Sequence, residues 1–87
     1  MSPLKKPRMS CQLSFYPLGT VDFLSPIDKV LELIEKSGLS HQIGEMSTVI
    51  LGESTAIFAL LEEISQVLDG EQCQFSMSVI LSNTCGL

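Results

Sequence analysis

The chain contains few of the residues on which catalytic and phosphate-binding sites usually depend. It has no tryptophan, one histidine and one arginine among its 87 residues. The histidine, His41, has no partner at a fixed spacing that would make it a base or a metal ligand. The arginine, Arg8, lies near the start, and no glycine-rich loop is present, so the usual anchors for a phosphate are missing. The sequence therefore predicts a protein that is not an enzyme.

Cysteine and long apolar runs are also scarce. Cys11, Cys73 and Cys85 cannot all pair within one chain and show no C-x-x-C spacing, so neither a disulfide framework nor a zinc site is indicated. No apolar run approaches the roughly 18 residues that would cross a bilayer, and no secretory signal follows the basic start. We expect a cytoplasmic protein with reduced thiols, no membrane insertion, no metal and no cofactor.

Basic residues are rare beyond the first eight positions. Three of the five lie in that stretch, interrupted by prolines, and we expect residues 1–9 to form a disordered leader. Residues 9–87 contain 2 basic and 10 acidic residues, which gives a net charge of −8. An acidic surface repels phosphate backbones and attracts cations. We therefore expect no nucleic-acid partner, and a cationic small molecule is compatible with the charge.

Apolar periodicity and composition together predict three strands and a helix in the first part of a single domain, residues 10–87. Apolar and polar residues alternate over residues 11–16, as in a strand with one buried face, and the segment Pro17-Leu18-Gly19-Thr20 is expected to end that strand. Ser25 is expected to cap a helix that ends near Gly38. Composition then favours two short strands within residues 39–51.

A second helix and a last strand complete the predicted order. An apolar stripe at helical spacing follows Ser54 and stops at Gly70, and residues 74–82 alternate in the manner of a strand. The order β-α-β-β-α-β predicts a ferredoxin-like α+β fold. In this fold both helices lie on one face of a four-stranded antiparallel sheet.

The sheet face opposite the helices is predicted to have no cover. On the first and last strands it would carry no charged residue and mostly short polar ones, namely Gln12, Ser14, Tyr16, Gln74, Ser76, Ser78 and Ser82. Antiparallel sheets commonly leave one face in solvent, but an uncharged face is unusual there. We therefore expect a partner subunit or a ligand against it, and the narrow stability margin of so small a domain also favours at least a dimer.

Two groups of polar residues lie at predicted strand ends, where a small polar ring could be recognised. Ser47 and Thr48 precede an apolar strand, with Glu45 beside them, and Thr20 and Asp22 lie in the loop after the first strand. A hydroxyl can hydrogen-bond a ring nitrogen or an amino group, and a carboxylate can accept from an amino group. The alternative for Thr48 is an ordinary strand residue without a ligand, since threonine is common in strands. The alternative for Asp22 and Glu45 is that they are ordinary acidic residues of turns.

Three motifs occur in order along the chain. They are Phe15-Tyr16-Pro17-Leu18 with Asp22-Phe23, then Met46-Ser47-Thr48-Val49-Ile50-Leu51-Gly52, then Ser82-Asn83-Thr84-Cys85. Over roughly residues 11–87 the chain thereby resembles the YkoF-like family of thiamine- and hydroxymethylpyrimidine-binding proteins. The resemblance implies a ferredoxin-like fold and a non-enzymatic role in uptake, salvage or buffering of vitamin B1. It also implies a homodimer formed through the open sheet face, with a tetramer as the alternative assembly.

The resemblance also implies a ligand site. By position it assigns Asp22, Ser47, Thr48 and Asn83 to that site, and we expect the pyrimidine ring in an apolar slot formed by neighbouring aromatic and methionine side chains. Because adjacent strand residues point to opposite faces, only one of Ser47 and Thr48 can contact the ligand from a regular strand. The candidate ligand-binding residues are Phe15, Tyr16, Thr20, Asp22, Met46, Ser47, Thr48 and Asn83.

A function of another class is compatible with the same fold. The chain would then be an oligomeric regulatory or scaffold module without a small-molecule ligand, since fold alone does not define function. A stoichiometric protein partner in a pull-down would favour that alternative. Binding of thiamine or hydroxymethylpyrimidine would favour the ligand-binding function.

Overall fold

The computed structural model describes residues 8–83 and contains four strands and two helices. In chain order the elements are β1 (Arg8–Leu18), α1 (Leu24–Lys36), β2 (Ser40–Ile43), β3 (Thr48–Glu53), α2 (Ser54–Gly70) and β4 (Gln74–Ser82). The strands form one sheet in the order β2-β3-β1-β4, and every neighbouring pair is antiparallel. The predicted ferredoxin-like α+β fold is confirmed.

The hydrophobic core lies between the sheet and the two helices. Cys11 and Leu13 of β1 and Ile50 of β3 are buried against the apolar stripes of α1 and α2. The buried helix residues recur at spacings of three and four, so each helix turns one face to the sheet; they are Val30, Leu33, Ile34, Ile57, Leu60, Ile64 and Leu68. Full burial stabilises the fold by about 1.5–3 kcal/mol per large aliphatic side chain, which matters because helices this short are marginal alone.

β1 extends beyond residues 11–16 at both ends. It begins at Arg8, inside the stretch predicted as a leader, and the adjacent Met9 packs against the core. Residues 1–7, the rest of that predicted leader, lie outside the described part of the chain. The strand ends at Leu18, within the segment Pro17-Leu18-Gly19-Thr20 that was expected to end it, so Pro17 itself belongs to the strand. β3 pairs with β1 only as far as Leu13, so Pro17 occupies a stretch that pairs with β4 alone, where the missing N–H removes no ladder bond to β3.

α1 begins differently from the prediction. Its N-cap is Phe23, which makes no side-chain cap hydrogen bond, rather than Ser25. The backbone N–H of Ser25 instead donates to Oδ1 of Asp22 at 3.2 Å, so a carboxylate before the helix satisfies a first-turn donor. At the other end Gly38 has φ +75°, the left-handed conformation predicted for it.

The tip of the β2–β3 hairpin, residues 44–47, lies beside the middle of β1. Gly44 N–H donates to the Ser47 carbonyl at 2.8 Å and closes the tip. The Ser14 hydroxyl of β1 donates to the Met46 carbonyl at 3.2 Å, and Gln12 Nε2 lies 3.5 Å from Ser47 Oγ. These contacts hold the hairpin tip against β1 and leave the last third of β1 extending past it.

The sheet face opposite the helices carries no covering element within residues 8–83. The register places Ile80 and Val49 on either side of Gln12 on this face, and Leu51 lies opposite Ser10. Ile80 is 60% exposed. The face is therefore more apolar than the first and last strands alone predicted.

No helix in the part of the chain that the structure describes is both long and apolar enough to cross a membrane.

Candidate functional site

An apolar cleft of about 160 Å³ lies between α1, β1 and the β2–β3 hairpin. We call it the hairpin cleft. It has an aliphatic wall from α1 and a more polar rim from the hairpin tip, and its lining residues are Leu13, Phe15, Ile27, Val30, Leu31, Ile34, Ile43, Gly44, Glu45, Met46, Ser47 and Thr48. A concave apolar site with a few polar groups is the usual form of a small-molecule site.

Thr48 is the polar residue set deepest in the hairpin cleft. It lies opposite Leu13 in the β1–β3 register and therefore faces the helices, where it is only 7% exposed. Its hydroxyl makes no hydrogen bond to any residue in 8–83. Because no completely buried side-chain oxygen lacks a partner in that range, the Thr48 Oγ1 must be accessible from the cleft. A poorly satisfied hydroxyl in apolar surroundings can bind a ligand without first breaking a protein hydrogen bond.

Ser47 is placed differently from its neighbour. It precedes β3, and its Oγ is directed toward Gln12 Nε2, a side chain of the open sheet face. Its backbone carbonyl is occupied by Gly44 N–H. Ser47 therefore helps to build the rim of the hairpin cleft, while Thr48 presents the hydroxyl inside it.

Phe15 and Met46 form the base and mouth of the hairpin cleft. The ring of Phe15 packs against Phe75 of β4, with centroids 5.4 Å apart and planes inclined by 31°, so its position is fixed by the core. Met46 is 83% exposed at the hairpin tip. Its flexible, polarisable thioether can adapt to an occupant that enters past it.

Thr20 and Asp22 lie in a second, more open depression of about 730 Å³, which shares no lining residue with the hairpin cleft. It lies where the β1–α1 loop meets the segment between α2 and β4. Asp22 N–H donates to Thr20 Oγ1 at 3.0 Å. Hydrogen bonds from the hydroxyl and then the backbone N–H of Ser25 lower the pKa of Asp22. These contacts connect the loop to the start of α1.

Tyr16 and Asn83 do not line the hairpin cleft. Tyr16 lies opposite Ser76 on the open sheet face and is 49% exposed. Asn83 follows β4 at the end of the sheet where β1 begins, because Ser82 pairs with Ser10. Of the eight candidate residues, the structure brings together Phe15, Met46, Ser47 and Thr48.

The α1 wall of the hairpin cleft was not singled out from the sequence. Ile27, Leu31 and Ile34 belong to the apolar stripe that predicted the helix, and such a stripe is ordinarily read as core. The signal that could have distinguished them is the short β2: it ends at Ile43, so the hairpin cannot cover the whole length of α1.

Other chemistry-bearing groups are sparse in residues 8–83. No group of three or more His, Cys, Asp or Glu side chains in this range could hold a metal ion. Cys11 and Cys73 are free thiols, and burial raises the pKa of the Cys11 thiol. A raised pKa favours the unreactive protonated form.

Comparison with solved structures finds the same fold in proteins of low sequence identity. A protein from Thermotoga maritima, provisionally described as a thiamine biosynthesis/salvage protein, is 20% identical, with a TM-score of 0.78 over 87% of this chain and 83% of its own. A domain of unknown function from Bacillus cereus is also 20% identical, with a TM-score of 0.80 over 93% and 80%. A hypothetical protein from Methanocaldococcus jannascii is 24% identical, with a TM-score of 0.73 over 87% and 79%.

Sequence comparison gives the family. No curated protein matches the chain significantly. The model of the YKOF-related family matches residues 8–86, which is nearly the whole chain. The match confirms the resemblance carried by the three motifs, and the chain belongs to the YKOF-related family.

Proposed function

We propose that this protein binds thiamine or its hydroxymethylpyrimidine moiety, without catalysing a reaction, and acts in uptake, salvage or buffering of vitamin B1 in the cytoplasm. The observation that carries the proposal is the Thr48 hydroxyl, which is nearly buried, faces an apolar cleft and has no hydrogen-bond partner within residues 8–83. An aminopyrimidine offers both ring nitrogens and an amino group to such a hydroxyl.

The shape and lining of the hairpin cleft support an aromatic occupant. Its volume of about 160 Å³ suits one small ring better than a larger molecule. Phe15 on one side and Leu31 on the other provide apolar contact surface, and burial of the ring faces would supply most of the binding free energy. The second half of thiamine would then extend past Met46 toward solvent.

Membership of the YKOF-related family and the description of the Thermotoga maritima neighbour also favour a thiamine-related ligand. A binding role rather than catalysis is favoured by the lining of the hairpin cleft. Its one ionisable side chain is that of Glu45, at the exposed rim. General acid–base catalysis would need a titratable group within hydrogen-bond reach of the reacting atom.

Isothermal titration calorimetry with thiamine and with hydroxymethylpyrimidine tests the proposal. We expect Thr48→Val, which keeps the shape and removes the hydroxyl, to weaken binding about fivefold to tenfold, the equivalent of one hydrogen bond of about 1–1.5 kcal/mol. Thr55→Val, on the exposed start of α2, is the matched control and should bind like the wild type. Absence of heat with both compounds at high micromolar concentration would contradict the proposed function.

We also propose that the protein forms a homodimer through the open sheet face, with a tetramer as a further level of assembly. Support comes from the exposed apolar residues on that face, Ile80 and Val49 foremost, and from the short polar side chains around them. Two copies packed face to face would bury both apolar centres at once, as sheets do in sandwich folds.

A further inference from the structure

β4 is an edge strand of the sheet, and it has none of the features that usually keep an edge strand from pairing. No strand within residues 8–83 lies on its outer side, because the sheet order is β2-β3-β1-β4. β4 runs for nine residues without a charge or a proline, and it pairs with β1 residue for residue, so no bulge interrupts it. Soluble proteins usually protect an edge by a short strand, a charge, a proline or a bulge. The other edge strand, β2, has only four residues, so β4 is the long edge of the described sheet that is open to another strand.

The helix-facing side chains of β4 are incompletely covered, in contrast to those of its neighbour β1. Cys11 of β1 is completely buried, whereas Leu81, which lies opposite it, is 37% exposed. The other helix-facing residues of β4 are half-buried, namely Phe75, Met77 and Val79. The two helices therefore stop short of this edge and leave a row of apolar side chains partly accessible beside it.

α2 extends this apolar surface. Ala56 and Ala59 line a groove together with Ser37, the C-cap of α1, so this flank of α2 faces α1. At about 3.6 residues per turn, Phe58 and Leu61 lie on the other flank of the helix. The β2–β3 hairpin lies on the α1 side, so the other flank is directed toward β4. Phe58 is 52% exposed there.

We propose that the β4 edge pairs with the β4 edge of a second copy of this chain, and that this contact joins two face-to-face dimers into the tetramer. The strand is complementary to itself. In an antiparallel pair centred on Ser78, Met77 lies opposite Val79 of the second copy and Phe75 lies opposite Leu81, so apolar residues meet on the helix-facing side. Because the strand has no charge, two chains with a net charge of −5 each can approach at this edge without direct repulsion.

The contact belongs to the second level of assembly, and the inference therefore rests on the proposed face-to-face dimer. One pair of strand edges is a small contact, whereas stable interfaces usually bury about 1,200–2,000 Å². A face-to-face dimer carries two β4 edges, so two dimers can form two ladders at once and close the assembly. A single chain that cannot pair through the open sheet face should accordingly remain a monomer.

Sedimentation equilibrium at micromolar concentration tests the inference. We expect a tetramer for the wild type and a dimer for Leu81→Lys, because its ammonium group would lie among the apolar residues of the second β4. Phe58→Lys changes the exposed flank of α2 and not the strand, and it should also give a dimer. Gln66→Lys adds the same charge elsewhere on the exposed surface of α2 and should remain a tetramer. Far-ultraviolet circular dichroism shows that each variant is folded.

Amide hydrogen exchange identifies the contact itself. In an antiparallel pair, every second residue of a strand directs its N–H away from its neighbour. We expect the wild type to protect successive amides over residues 75–81. In the Leu81→Lys dimer every second amide of this stretch should lose its protection. The exchange pattern of the wild type decides the question even where a variant does not fold.

The outcomes separate this inference from the proposed face-to-face dimer. A wild-type dimer that Leu81→Lys and Phe58→Lys leave unchanged would overturn the inference and retain that dimer. A tetramer in which every second amide of residues 75–81 exchanges rapidly would place the second contact on another surface. A monomeric wild type would overturn the face-to-face dimer and this inference with it.

Discussion

Ser47 and Thr48 are adjacent hydroxyl residues that the fold places in different surroundings. β3 begins at Thr48, and its pairing with Leu13 turns the Thr48 side chain toward the helices. Ser47 lies before the strand and faces Gln12. From the sequence one could predict that only one of them contacts a ligand, because strand neighbours alternate. Which one depends on the first paired residue of β3, and no propensity fixes that register.

Asp22 gives a pH-dependent prediction for stability. Its hydrogen bonds from Ser25 lower its pKa below the ordinary 3.8 in the folded state, so the unfolded chain binds the proton more readily. The stabilisation is therefore complete above pH 3.8 and is lost as pH falls through the lowered pKa. We expect Asp22→Asn to destabilise the protein at pH 7 and to melt like the wild type near pH 2. Thermal melts followed by circular dichroism measure this.

Asp28→Asn is the control for that experiment, since Asp28 lies on the exposed side of α1. A difference in melting temperature between wild type and Asp22→Asn that stays constant from pH 7 to pH 2 would contradict the assigned role.

The sequence could not show that Asp22 lies apart from the hairpin cleft. Its separation from Ser47 and Thr48 depends on which side of α1 each loop approaches, and loop composition does not encode that direction.

Four of the six elements, namely β1, α1, α2 and β4, were predictable because their apolar residues repeat at the spacing of a helix or a strand, whereas β2 and β3 were predicted from composition alone. What periodicity could not provide was the length of β1. Its last residues, Pro17 and Leu18, pair with Phe75 and Gln74 but extend past β3. A proline is tolerated in such a stretch because no neighbouring strand needs its N–H on that side. The gap beside the hairpin tip that results from this unequal length forms the hairpin cleft.

The hydrogen bond from Ser14 to the Met46 carbonyl predicts a measurable effect on the hairpin tip. One exposed hydrogen bond contributes about 0.5–1.5 kcal/mol, so Ser14→Ala should free the tip without unfolding the domain. We expect amide hydrogen exchange to quicken at the tip, with Gly44 as the reporter because its N–H is bonded to Ser47. Thiamine binding should weaken about twofold to fivefold.

Ser76→Ala is the matched control for the hairpin tip. Ser76 lies on the same face, opposite Tyr16, and belongs to β4, which β1 separates from β3 in the sheet. Its replacement should leave both the exchange of Gly44 and the affinity for thiamine unchanged. Protection of Gly44 that is the same in Ser14→Ala and the wild type would show that the hairpin is held by its strand pairing alone.

At the scale of the whole molecule, the acidic helical side and the nearly uncharged sheet side have different roles. The carboxylates of α1 and α2 keep the helical side in solvent, whereas the open sheet face exposes an apolar centre that a monomer of this size can poorly tolerate. The absence of charge from the middle of that face was visible in the alternation of β1 and β4. Its charged edge, where Arg8 lies opposite Glu53, and the contribution of Val49 and Leu51 were not visible, because they depend on the length of β1 and on the β1–β3 register.

Replacement of Ile80 tests assembly through the open sheet face. The side chain lies opposite Gln12 and is 60% exposed in one copy of the chain, so Ile80→Lys should leave the domain folded. In a face-to-face dimer the added ammonium groups would be buried without a partner, which costs several kcal/mol per ion. We therefore expect sedimentation equilibrium to show a dimer or larger assembly for the wild type and a monomer for Ile80→Lys.

Gln66→Lys adds the same charge to the exposed side of α2 and should sediment like the wild type. Far-ultraviolet circular dichroism of both variants shows whether the fold is retained, so that loss of assembly is not confused with unfolding. If the wild type is monomeric at micromolar concentration, the proposed dimer does not form. If the Ile80→Lys variant remains dimeric, the subunit contact lies on another surface. In a folded Ile80→Lys monomer, thiamine affinity should equal that of the wild type, because the hairpin cleft opens on the helical side of the sheet.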